Sequence, residues 1–206
     1  MGKQALPSTA PPPHRRRTVT ETTAGTDVVD ELTTDHREAT ALLDQILTTS
    51  DPEARRDMAD TVITELVRHS VAEEMYVYPV IQDTFPNGKE VVEHDTEEHK
   101  ELERTMKELE GCAADDPRFS ALVSELRGQL HHHATDEENE QFPELRARVH
   151  REKLVEMREQ VETAKKIAPT RPHPNAPNSE VFHKIVGPGV GLMDRVRDKL
   201  TGRSTG

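Results

Sequence analysis

Four histidines and two glutamates recur with fixed spacing. His69-Ser70-Val71-Ala72-Glu73-Glu74 returns as His133-Ala134-Thr135-Asp136-Glu137-Glu138, an offset of 64 residues. Both copies end alike, in Tyr78-Pro79 and Phe142-Pro143. Upstream of each stands one more histidine, in Asp35-His36-Arg37-Glu38 and Glu98-His99-Lys100-Glu101, offset by 63. Residues four apart on a helix project in one direction. His69 with Glu73, and His133 with Glu137, can each offer a nitrogen and an oxygen to one point. Imidazole and carboxylate without thiolate suit iron, and also manganese or zinc. Cys112 is the only cysteine, which excludes a disulfide framework and cysteine-based zinc or iron–sulfur sites. Ferritin-like centres need Glu-x-x-His pairs, but Thr33, Leu66, Thr96 and Leu130 precede the four histidines by three. No His-Glu-x-x-His occurs either, so a zincin is excluded.

Helix punctuation decides where these residues sit. Thr26 or Asp27 caps a first helix reaching about Thr49. Asp51-Pro52 opens a second, which Pro86-Asn87-Gly88 closes. A third runs from about Lys89 to Cys112, and Asp116-Pro117 opens a fourth. Helical pattern continues past Pro143 to about Ile167. The fold expected is all-α, an antiparallel up-down-up-down four-helix bundle. At 1.5 Å per residue, His36 lies about 21 Å before the first turn and His69 about 26 Å after it. His99 and His133 each lie about 26 Å from the turn near residue 116. Six donors therefore meet at one level. They could surround one octahedral ion. Two ions fit better, because a repeat builds one half-site per copy and leaves its carboxylates free to bridge. Glu74 and Glu138 are candidates for bridging, or for orienting the ligands from outside.

Charge divides the chain. The 206 residues carry a net charge of −12, yet residues 1–25 and 169–206 are each +3, leaving −18 on residues 26–168. The ends also hold most prolines, so residues 1–25 read as a disordered basic tail and 169–206 as a Pro-rich linker. Within 189–201, Leu192, Met193, Val196 and Leu200 form the apolar stripe of a short amphipathic helix, suited to docking on this bundle or on a protein partner. No apolar run is long enough to span a membrane and no signal peptide precedes the domain, so a cytoplasmic location is expected. The acidic domain would repel nucleic acid.

Residues 26–150 resemble the haemerythrin-like, HHE cation-binding family of non-haem di-iron bundles. The resemblance places that family's ligands on His36, on His69 and Glu73, on His99, and on His133 and Glu137. It implies two iron ions with oxo, hydroxo or carboxylate bridges, and O2, H2O2 or NO as the small molecule handled. Two departures matter. The oxygen carriers place two histidines four apart on the third helix, whereas Asp95 and Glu103 flank His99 here. They also use His-x-x-x-x-Asp on the last helix, where this chain has His133-x-x-x-Glu137. Asp95 and Glu103 thus join Glu74 and Glu138 as candidate further carboxylates. So anionic a site favours ferric iron, and points to oxidative or nitrosative defence over oxygen transport. The alternative is a non-enzymatic iron or oxygen sensor or store that signals through a partner. His94 is a weaker ligand candidate, and His131 and His132 are expected to face neighbours or solvent. Tyr76 and Tyr78 read first as core rings, and Cys112 as an inert thiol.

Overall fold

The computed structural model describes residues 26–173. All the regular elements among them are helical: α1 (Val28–Thr48), α2 (Pro52–Tyr76), α3 (Tyr78–Thr84), α4 (Gly88–Gly111), α5 (Pro117–Asp136), a π-helical turn (Glu137–Gln141), α6 (Phe142–Arg148) and α7 (Arg151–Ile167). The basic tail 1–25, most of the Pro-rich stretch and the stripe at 189–201 lie outside the described residues.

The caps act where the sequence puts them. The Asp27 carboxylate accepts from the Val29 and Asp30 amides while Asp30 returns a bond to the Asp27 amide, closing a capping box. Asp51 and Asp116 cap α2 and α5, each followed by proline at the first helical position. α1 packs on α2 and α5, and α4 packs on α5 and α2, which closes the up-down-up-down bundle.

The helices are interrupted at the two aromatic-proline pairs. Proline lacks an amide hydrogen and its ring strikes the carbonyl four residues back. In the first half the chain yields at Val77, splitting α3 from α2 ahead of Pro79. In the second half it widens instead, and the Phe142 amide reaches back five residues to the Glu137 carbonyl ahead of Pro143. The stretch to Ile167 also divides, and α7 becomes a fifth helix. Its Leu154, Met157, Val161 and Ala164 form one buried stripe against α1 and α2. Beyond it, Thr170 and Arg171 stay buried on the bundle, with the Arg171 guanidinium 2.6 Å from Glu110, so the chain does not leave the domain at 169.

Two apolar clusters fill the interior. One gathers Leu43, Ile46, Ile63, Phe119 and Leu126 toward one end; the other gathers Leu32, Ile81, Phe142, Leu145 and α7 toward the opposite end. On α1, α2, α4 and the α5–π-turn segment the candidate donors sit between the two, so the polar layer crosses the middle of the core.

Candidate metal centre

Within that layer the six donors form a closed ring. His36 Nε2 lies 3.1 Å from His69 Nε2, which lies 3.1 Å from Glu73 Oε2. Glu73 Oε2 lies 3.4 Å from His99 Nε2, which is 3.3 Å from His133 Nε2. His133 Nε2 is 3.5 Å from Glu137 Oε2, and that oxygen returns to His36 Nε2 at 3.3 Å. Each carboxylate thus stands between imidazoles of both halves of the repeat. All six residues are at most 3% exposed.

A second set of carboxylates surrounds the ring. His36 Nδ1 is 3.0 Å from Glu138, His69 Nδ1 3.0 Å from Asp35, His99 Nδ1 3.1 Å from Glu74 and His133 Nδ1 2.9 Å from Glu98. Holding Nδ1–H outward would, with a metal bound, turn each Nε2 lone pair into the ring. Glu74 and Glu138 therefore sit outside the ring, each serving the histidine of another helix. Asp35 and Glu98 do the same work and were not singled out from sequence. The signal was present, since each immediately precedes a ring histidine at the common offset of 63. Lys165 of α7 donates to Asp35 at 2.7 Å and to Glu31 at 3.0 Å, bringing the fifth helix to the edge of the site.

Burial and charge oppose each other here. Desolvation works against a charged imidazole, yet Glu73 and Asp35 outweigh it and raise His69 to about 10. His99 is raised well above its ordinary value by Glu73 and Glu74 against the same burial penalty. His133 is raised by Glu137 and Glu98, again against burial. Burial favours a neutral Glu73, but His69 and His99 hold it well below the usual carboxylate range.

Asp95 is buried beside the ring. Its Oδ1 accepts from Gln141 at 3.0 Å, and its other oxygen meets no hydrogen-bond partner among the described residues. Burial and the Glu137 charge push its carboxyl up to about 7. Glu103, one turn past His99, is half-buried, with its carboxyl raised by burial and by Glu74. Neither belongs to the ring. Tyr78 does more than fill the core: its hydroxyl lies 3.0 Å from His99 Nε2, with the rings stacked at 5.4 Å. Its repeat counterpart Phe142 stacks on His36 at 6.0 Å without a hydroxyl. Tyr76 packs against the apolar cluster, and Cys112 is a buried free thiol.

The donor set fits a cation. Glu73 Oε1 is buried with no hydrogen-bond partner among the described residues, and the buried Oε2 atoms of Glu73 and Glu137 face ring imidazoles at 3.1–3.5 Å. An oxygen so placed is costly unless a positive charge meets it. With no ion bound, the raised imidazoles of His69, His99 and His133 supply that charge, and a cation held by the four Nε2 atoms would take their place.

Comparisons agree with this reading. Residues 27–145 match the Hemerythrin HHE cation binding domain. An uncharacterized hemerythrin-like protein of Schizosaccharomyces pombe is 30% identical over 176 residues, covering 85% of this chain and 87% of that protein. A DNA nickase of Nostoc sp. is 22% identical over 139 residues, 68% of this chain but 39% of that protein. No solved structure gives a significant match. No helix among the described residues is long and apolar enough to cross a membrane. With the family's domain matched over more than half of its length, on helices that gather His36, His69, Glu73, His99, His133 and Glu137 into one ring, the chain belongs to the haemerythrin HHE cation-binding family.

Proposed function

We propose that His36, His69, Glu73, His99, His133 and Glu137 would hold two non-haem iron ions, and that the centre handles a small oxidant (O2, H2O2 or NO) in oxidative or nitrosative defence. The observation that carries this is the position of the two carboxylates. Each lies 3.1–3.5 Å from one imidazole of either half. His36 and His69 would hold one ion, His99 and His133 the other. Bound iron supplies redox chemistry and Lewis acidity. The protein supplies orientation through Glu138, Asp35, Glu74 and Glu98, which aim the four Nε2 atoms. The two apolar clusters exclude bulk water above and below the ring. Tyr78 can hold a proton at the His99 side, since burial and Glu73 raise its hydroxyl well above the ordinary value.

A single six-coordinate ion is the second reading, favoured by how compact the ring is. His36, His69, His133 and Glu137 offer donor atoms all within 4.8 Å of one another. Six protein donors on one ion would leave no open position for an oxidant, and the protein would then sense or store iron.

The test is iron content after anaerobic loading with ferrous iron, followed by air. Two irons per chain, with near-ultraviolet absorption that changes on adding peroxide or nitric oxide, is the expected result. One iron per chain with a spectrum indifferent to both selects the sensor or store. Joint replacement of His69 and His133 by Ala should abolish iron binding and any oxygen evolution from peroxide. Full turnover in that variant overturns the assignment, and a preference for zinc or manganese over iron overturns the choice of metal.

A further inference from the structure

Outside the ring, α4 and α5 bring together a second cluster. His94 Nε2 lies 3.4 Å from Glu98 Oε1 and 4.0 Å from Asp136 Oδ2. His132 Nε2 lies 3.4 Å from the same Glu98 oxygen, and its Nδ1 3.9 Å from Asp136. One donor atom from each of the four residues falls within 4.8 Å of the other three. We propose that His94, Glu98, His132 and Asp136 form a second metal site, which takes a divalent first-row cation such as zinc at the bundle surface.

Geometry supports this first. His94/Glu98 and His132/Asp136 are both four apart, so each helix presents a nitrogen and an oxygen in one direction. Tetrahedral zinc with bonds of about 2.0–2.1 Å needs its donors about 3.3 Å apart. Two contacts to Glu98 are already near that. The His94 and His132 side chains are 58% and 67% exposed, free to close the remaining distance. Two carboxylates neutralise a dication, and two imidazoles make the pair selective for a borderline metal over magnesium or calcium.

The repeat supplies an independent argument. Asp35, which orients His69, is neutralised by the Lys165 ammonium of α7 at 2.7 Å. Glu98 is its counterpart and orients His133, yet among the described residues it meets no lysine or arginine. Where the first half has Glu31 and Asp35 around a lysine, the second has His94 and Glu98 on an uncovered face. A dication there would take the place of Lys165. It would also connect the two sites, because Glu98 gives Oε1 to the surface cluster and Oε2 to His133 Nδ1.

The site is tested on the full chain with zinc as the probe. Zinc retained at micromolar free metal is counted for the wild type, for the double variant His94→Ala/His132→Ala, and for His36→Ala/His69→Ala. The surface variant should hold one zinc fewer than wild type. The inner variant, altered in the half remote from Glu98, should keep that zinc. Asp136→Asn should weaken it by at least about tenfold. Equal zinc in wild type and surface variant overturns the proposal. The outcome is separable from the central ring: if the ring takes no metal, wild type should hold one zinc and the surface variant none.

Discussion

The two halves of the centre share their donors and differ in nearly everything around them. His36, His69 and Glu73 are matched by His99, His133 and Glu137, and outer carboxylates Asp35 and Glu74 by Glu98 and Glu138. Around the second half, however, Asp95 and Gln141 replace Leu32 and Val77, and around His36 the Tyr78 phenol is replaced by the Phe142 ring. The first half is roofed by α7 and its Lys165; the second lies open at His94 and His132. Coordination tolerates little variation in donor type, which explains the likeness. The unlike parts are where one half can acquire a proton, a phenol or a surface ion that the other lacks.

The largest effect should come from breaking the symmetric part. His36→Ala and His99→Ala should each remove most iron binding, and to the same extent, measured as iron retained after dialysis. Strongly unequal losses would show that the halves do not contribute equally. Next come the outer carboxylates. Glu74→Gln and Glu138→Gln should each weaken iron binding by about 10–100-fold, read by competition with a chelator, because each frees one imidazole to turn.

Smaller effects should appear where the halves differ. Burial and the Glu137 charge raise the Asp95 carboxyl to about 7, well above the ordinary carboxylate range. The folded state then binds a proton that the unfolded state has lost, so this contribution is present at low pH and fades as pH rises through about 7. After chelation of metal, Asp95→Asn should therefore stabilise the protein more at pH 8 than at pH 5, by on the order of 1–2 kcal/mol in denaturant titrations. Equal stabilisation at both pH values would remove Asp95 as the source. The smallest effect is expected from Tyr78→Phe, which makes the two aromatic positions alike. Loss of the contact to His99 should cost about 1 kcal/mol of stability. Iron content should stay unchanged, while the spectral response to peroxide should shift if the hydroxyl serves the oxidant side.

Much of this was legible in the chain. Caps at Asp27, Asp51 and Asp116 act locally, through a side chain and amides two or three residues away, so sequence alone places those helix starts. The repeat and the four-residue spacing likewise define six donors before any fold is known, because helical periodicity is a local property. Other features depend on which helices become neighbours. Asp35 reaches a histidine 34 residues away and Glu98 one 35 away, pairings that no periodicity encodes. Two similar aromatic-proline signals gave a break at Val77 and a π turn at Glu137, because each proline was accommodated against different packing. The stretch beyond Pro143 reads as further helix up to about Ile167, and its buried stripe against α1 and α2 is what makes α7 a fifth helix of the bundle. The sequence determined the donors and their periodic placement; tertiary packing decided which carboxylate orients which imidazole, and which half is covered by a lysine.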